Sequence, residues 1–231
     1  MKKLYHILLV LFLLILPVLN LQAQSVDLLW QGETYVSPFY KGRALWSGQS
    51  KVTLLAIPQG LGSPANLNYK WSRNGTILGN INGIGKNTLA FTGSVLSKRE
   101  TIKIEIVSNQ NAVLASESVT LTPASPILAI YENNPLYGFM FHRETSGTYE
   151  LKEREVTFSA FPFFFSALDR RGSTLKYEWR TNAGGVENTN SVTYRTPDDA
   201  AGSSEIRVNT SHGDKIMQNA NKNFLIQFGN K

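Results

Sequence analysis

The chain has 231 residues, a formal net charge of +6, 42% hydrophobic and 17% charged side chains, and no cysteine. This composition is ordinary for a globular protein and too apolar for a disordered tail. The absence of thiols excludes a disulfide scaffold, thiolate zinc sites, cysteine nucleophiles and the cysteine-linked anchor of a bacterial lipoprotein.

Met1-Lys2-Lys3 is a short basic start, and Ile7 to Leu16 is an unbroken apolar run of ten residues. Pro17 breaks the run, and Leu21-Gln22-Ala23 ends in a small residue. This is the layout of a secretory signal peptide, so residues 1–23 are expected to be removed and the protein exported to the periplasm, cell surface or medium. Retention as an anchor is the alternative. A spanning helix takes roughly 20 apolar residues, and Ile7 to Leu19 supplies 13. No second stretch is long enough to span, so no stable membrane span is expected after cleavage. Without Lys2 and Lys3 the net charge falls to +4. The remaining basic residues are dispersed: Lys98-Arg99 adjoins Glu100, and Arg170-Arg171 adjoins Asp169. Nucleic acid, which requires a basic face, is not an expected partner.

Along the chain, the segments VTLLAIP (Val52–Pro58), LNYKW (Leu67–Trp71), NTLAF (Asn87–Phe91) and Ile104-Glu105-Ile106 follow one another. VTFSAFP (Val156–Pro162), LKYEW (Leu175–Trp179), NSVTY (Asn190–Tyr194) and Ile206-Arg207-Val208 repeat them in the same order. Upstream, Pro38-Phe39-Tyr40 aligns with Pro135-Leu136-Tyr137, and the offsets across these blocks drift from 97 to 108 residues. Ordered blocks with drifting offsets are the signature of a duplicated unit with loop insertions.

Each block alternates with period two. Val52, Leu54 and Ala56 share a parity, as do Tyr69 and Trp71, and Tyr177 and Trp179. Such runs read as half-buried strands. Turn residues separate them at Asn74-Gly75, Asn82-Gly83, Gly184-Gly185 and Pro197-Asp198-Asp199. No helical stripe is present. The expected fold is all-β, two tandem antiparallel β-sandwiches over residues 24–123 and 124–231, joined near Leu121–Ser125 by a short link stiffened by Pro123 and Pro126.

A strand ending in a core tryptophan, a hairpin, a short strand and a long alternating strand resembles bacterial immunoglobulin-like and PKD-like modules. The resemblance implies that Trp71 and Trp179, with Tyr69 and Tyr177, are structural core residues of the third strand of each sandwich. It also implies that Thr196 to Gly202 is the turn before the sixth strand. The W-x-F-G-D-G run of typical PKD repeats is replaced by Trp71-Ser72-Arg73-Asn74-Gly75, which leaves the subfamily open.

Chemistry-bearing patterns are sparse. His142 and His212 lie in different units without ligand spacing and read as surface residues. Asp198-Asp199 reads as a turn. No nucleophile elbow, phosphate loop or S-x-x-K motif is present. The expectation is a non-enzymatic protein with no catalytic residue, no cofactor and no metal. Asn74-Gly75-Thr76 and Asn209-Thr210-Ser211 fit a glycosylation sequon and read as structural.

The copies differ in one place. Phe161-Pro162-Phe163-Phe164-Phe165 stands where the first unit has Ile57-Pro58-Gln59-Gly60-Leu61. Successive strand residues point to opposite faces, so three consecutive phenylalanines exceed what one inward face needs. Two readings follow: packing against the first unit or the second sheet, or an exposed site for a protein partner at Phe163, Phe164 and Phe165. The expected function is an exported surface or envelope module, structural or protein-binding, of the kind associated with a secretion or pilus system. The alternative is a glycan-binding module, for which Trp30, Trp46 and Tyr40 are the candidate aromatic row.

Overall fold

A computed structural model describes residues 23–196 and 200–229. Residues 1–22 of the expected 1–23 signal peptide and the Pro197-Asp198-Asp199 turn lie outside the described residues. Strand makes up 56% of the structure and helix 3%, as the period-two patterning requires.

The first sandwich begins with β1 (Ser25–Gly32), β2 (Lys51–Gln59), β3 (Asn68–Arg73) and β4 (Thr76–Ile77). It continues with β5 (Gly83–Ile84), β6 (Thr88–Thr92), β7 (Glu100–Val107) and β8 (Val113–Leu121). One sheet has the order β1-β2-β6, and the facing sheet has the order β4-β3-β7-β8, with β5 also pairing with β3. Alternation sends Val52, Leu54 and Ala56 inward against Tyr69, Trp71, Ile102, Ile104 and Ile106, all fully buried.

The second sandwich comprises β9 (Ile127–Asn134), β10 (Gly138–Glu144), β11 (Gly147–Leu151), β12 (Glu155–Phe163) and β13 (Leu175–Thr181). It closes with β14 (Val186–Glu187), β15 (Ser191–Arg195), β16 (Gly202–His212) and β17 (Asn219–Phe228). Its sheets run β10-β9-β12-β15 and β11-β17-β16-β13-β14. Phe158, Ala160, Trp179, Ile206 and Val208 form the heart of its core. One ladder departs from the antiparallel expectation. After the β9–β10 hairpin the chain crosses to the other sheet, where β11 runs parallel to β17, from Gly147 opposite Phe224 to Leu151 opposite Phe228.

The two units share detail below the level of strand order. Trp71 Nε1 donates to the Lys86 carbonyl at 2.7 Å, and Trp179 Nε1 donates to that of Thr189 at 2.8 Å. The Ala56 amide bonds to the Asn87 carbonyl at 2.8 Å, and that of Ala160 to Asn190 at 2.9 Å. Tyr69 and Tyr177 each donate a phenolic proton to a carbonyl in the loop before the third strand, at Pro64 and Arg170. A buried indole or phenol needs such a partner, and both copies supply it from the same place. Facing sheets of three and five strands, or four and five, with cross-sheet connections and a buried tryptophan on the third core strand define immunoglobulin-like sandwiches. The chain is a tandem pair of them.

Asn74 and Gly75 both have positive φ, 50° and 80°, which forms the tight β3–β4 turn that twisted strands favour. The Asn74 side chain donates to Glu100 at 3.0 Å and accepts the Thr101 amide at 2.9 Å. Its amide nitrogen is therefore committed to the fold, which is the structural reading of that sequon.

Candidate functional site

The 18 residues between β1 and β2 leave the first sandwich and reach the second. Gly32 starts the excursion. A Cβ there would sit 2.5 Å from the Leu45 carbonyl oxygen, because the returning chain bonds to Gly32 N through Ala44 O at 2.8 Å. Glu33 N then bonds to Lys51 O at 2.7 Å, and two residues later the partner changes: Tyr35 N donates to Phe165 O at 2.7 Å and Tyr35 O accepts Phe164 N at 2.8 Å. A single extended segment thus hydrogen-bonds to both sandwiches.

Around this strap the seam is polar, buried and satisfied. Ser47 Oγ donates to Phe164 O at 2.7 Å. Gln218, 1% exposed, donates to Gly48 O at 2.8 Å and Ser166 Oγ at 2.9 Å, and accepts the Ser166 amide at 2.8 Å. Met217 N donates to Gln49 Oε1 at 3.0 Å. His212 supports the same corner. Its Nδ1 accepts the Asp214 amide at 3.0 Å, so Nε2 carries the proton and donates to Ser166 O at 3.1 Å. His212 is buried rather than a surface histidine, because the turn after β16 folds its ring under the Ser166 backbone; His142 is exposed.

Beside the polar seam lies a third apolar cluster. Tyr35, Ala129 and Phe161 are buried, with Tyr131, Phe139, Phe141 and Phe163 packed around them. Phe161 meets Tyr131, Phe139 and Phe141 edge-on at centroid separations of 5.1–5.5 Å, the arrangement that aromatic quadrupoles favour. Phe39 of the strap reaches Phe141 at 5.3 Å, and Tyr40 reaches Phe163 at 6.1 Å and Phe164 at 6.0 Å. Arg170 is buried and lies over the rings of Phe161 at 4.6 Å and Phe139 at 5.0 Å. Burial lowers its pKa from the ordinary guanidinium value, against the opposing field of Tyr35.

This placement corrects the expectation of an open partner site at Phe163, Phe164 and Phe165. Phe165 is fully buried in the core of the second sandwich, Phe164 is buried at the seam, and Phe163 is half-buried against Tyr35 and Tyr40. Consecutive residues do point to opposite faces, and here both faces are covered: one by the sandwich's own core, the other by the strap of the first unit. Phe164 holds φ of 64°, a region costly for a bulky residue, and both its backbone polar groups bond to the first sandwich. Trp30, Trp46 and Tyr40 do not form an exposed row. Trp46 is fully buried, with Nε1 on Ser50 O at 3.1 Å, and Trp30 lies half-buried under Arg43 at 4.5 Å.

The domain-linking segment is pinned too. Ala124 N donates to Trp46 O at 2.8 Å, and Ser47 and Ala124 form a parallel bridge. Tyr35, Ser47 and Gln218 carry no motif or periodicity that distinguishes them in sequence from ordinary loop residues, and Arg170 stands out there only as half of a basic pair.

Next to the seam an open cleft of about 1090 Å³ separates the outer face of β1 and β2 from the 166–168 and 215 loops of the second sandwich. Its floor holds Leu29 and Leu55, cross-strand partners that are both exposed. Leu168 stands fully exposed on the opposite wall. Lys51 bonds to Glu33 at 2.8 Å, which holds that carboxyl below its ordinary pKa. Arg43 and Lys215 line the same cleft without an ion pair among the described residues. Burial pulls the Lys215 ammonium below its ordinary pKa, opposed by Asp214. Among the described residues no cluster of three or more His, Asp or Glu side chains is placed to ligate a metal, and no helix is long and apolar enough to cross a membrane.

No family model matches the chain, and no curated protein matches it. Solved structures do. Three N-terminal domains of the bacteriophage RB49 Highly Immunogenic Outer Capsid protein align with 89% of this chain at 16% identity and a TM-score of 0.47. The alignment spans 59% of that fragment's length. The fibronectin(III)-like modules of Clostridium thermocellum CbhA align with 84% of this chain and 93% of their own at 12% identity, TM-score 0.28. The E. coli adhesin CfaE aligns with 93% of this chain and 89% of its own at 9% identity, TM-score 0.24. These likenesses are distant, and the fold assignment rests on the strand order described above.

Proposed function

We infer that this is an exported, non-enzymatic surface or envelope protein that presents two locked immunoglobulin-like sandwiches as one interaction module, of the kind associated with a secretion or pilus system. The observation that carries the reading is the seam. Inter-domain contacts within a chain are often loose and permit relative motion. Here a backbone strap, a buried glutamine clamp and an aromatic cluster tie the two sandwiches together, while a cleft of binding-site size stays open beside them. Clefts at domain junctions are preferred ligand sites, and a fixed junction keeps such a site preorganised.

The test is fractionation followed by site-specific photo-crosslinking. A photoreactive residue at Leu168, on the cleft wall, should yield one discrete adduct with an envelope protein in intact cells. The same residue at Ile77, on the far edge of the first sandwich, should not. Cytoplasmic retention, or equal labelling from both positions, overturns the reading. The glycan-binding alternative is tested on a polysaccharide array, where this reading expects no specific signal.

A further inference from the structure

We propose that the cleft between the sandwiches binds an extended peptide segment in which carboxylate side chains alternate with aliphatic ones. This rests on the interaction-module reading above and names the chemistry of its partner.

Two observations on opposite walls point to this ligand. The outward positions of β1 and β2 include Asp27, Gln31, Lys51 and Thr53, the polar residues expected on a solvated sheet face. Leu29 and Leu55 break that pattern at one cross-strand pair, and neither contributes to a core cluster. Leu168 faces the cleft from the other side with its whole side chain in water. One exposed leucine is unremarkable, whereas three around a single cleft form an apolar lining that the described residues leave uncovered.

The charges carry the second half. Of the three cations at the cleft, Lys51 is matched by Glu33. Arg43 is held in place by the Trp30 ring beneath it, and among the described residues its guanidinium has no ion-pair partner. Lys215 is partly desolvated, with the field of neighbouring Asp214 acting against that cost but no ion pair among the described residues, which makes an arriving carboxylate favourable. Arg43 and Lys215 come from different sandwiches, so a ligand reaching both must lie across the junction. A volume of about 1090 Å³ exceeds what an isolated anion fills and lies at the upper end of small-molecule sites, which suits several residues of extended chain. In such a chain side chains alternate in direction, so carboxylates meet the cationic rim while aliphatic groups meet the leucines. A uronic-acid glycan would match the cations and leave the leucines bare.

The test is fluorescence anisotropy on the signal-less chain with four labelled probes: octapeptides alternating glutamate with leucine, lysine with leucine and glutamate with serine, and an oligogalacturonate. The glutamate–leucine peptide should bind at least 10-fold tighter than the other three, and its affinity should fall as salt rises. Lys215→Glu and Leu168→Glu should each weaken it 10-fold or more without shifting the melting curve, and Lys103→Glu, on β7 of the opposite sheet of the first sandwich, should leave it unchanged. No binding, equal binding of the lysine–leucine peptide, insensitivity to both cleft variants, or preference for oligogalacturonate overturns the proposal. Should the Leu168 photo-crosslink to an envelope protein persist when the peptides fail, the interaction module stands and only the ligand chemistry falls.

Discussion

Ser47 Oγ donates to the carbonyl oxygen of Phe164 at 2.7 Å, across 117 residues of chain. The acceptor belongs to a residue whose φ of 64° is unfavourable for a bulky side chain. The strained loop and the strap that restrains it therefore lie in different sandwiches, and each sandwich stabilises a conformation in the other.

The first prediction concerns this bond. Ser47→Ala leaves the Phe164 carbonyl buried without its donor, which should cost about 1–3 kcal/mol. Phe164→Ala removes a buried ring and should cost about 3–5 kcal/mol. Calorimetry should show the single cooperative transition of the parent chain dividing into two as the sandwiches uncouple. A Phe164→Ala chain that melts like the parent would show that the seam does not couple them.

The second prediction uses the duplication. Trp179→Ala and Trp71→Ala each delete an indole that is at least 99% buried and bonded to a carbonyl just before β15 or β6 respectively. Each should cost about 3–5 kcal/mol, a large part of the ~5–15 kcal/mol available to a single domain. Urea denaturation monitored by circular dichroism measures the loss. A change under about 1 kcal/mol at either site would contradict its placement in the core.

Acid should weaken the first sandwich through Glu100. Its carboxylate accepts a bidentate pair of bonds from Arg73 and a third from Asn74. The Arg73 bonds hold its pKa below the ordinary 4.5, against the opposing effect of burial. A depressed folded-state pKa means that this contribution is complete above the unfolded value and is lost as pH falls through the folded one. Glu100→Gln should therefore cost stability at pH 7, with the deficit relative to the parent shrinking as pH falls below 4.5. Paired denaturation curves across that range measure it; a deficit that does not change with pH would contradict the ionic role.

Gly32 provides a steric test. A methyl there meets the Leu45 carbonyl at 2.5 Å, so Gly32→Ala must push the returning strap away from β1. A destabilisation of about 1–3 kcal/mol is expected, together with weaker coupling of the two melting transitions. Gly79→Ala, with open space around its Cβ, should stay within about 0.5 kcal/mol.

Local physics explains which features could be read from the chain alone. Period-two alternation reports burial on one side of a strand, so Val52, Leu54 and Ala56 and their counterparts Val156, Phe158 and Ala160 declare their inward face. Tyr and Trp at matching parity in β3 and β13 declare the core tryptophans, and Asn74-Gly75 declares its turn because few residue pairs tolerate two positive φ angles. Comparing the copies also isolated Phe163, Phe164 and Phe165 as residues with a task beyond one sandwich.

What the task is depended on contacts between segments more than a hundred residues apart. Alternation says that a side chain is covered and says nothing about what covers it. Tyr35, Ser47 and Gln218 sit in irregular loops, where no repeat links a residue to its environment, so their roles emerge only when the 33–50 strap lies against the second sandwich. The Phe run has the composition of an exposed patch and the position of an internal one, and the chain alone carries no signal separating the two. Leu29, Leu55, Arg43 and Lys215 are likewise unremarkable in sequence. Folding places them around one opening, because strand register puts two leucines side by side and the locked junction brings a lysine of one unit across from an arginine of the other.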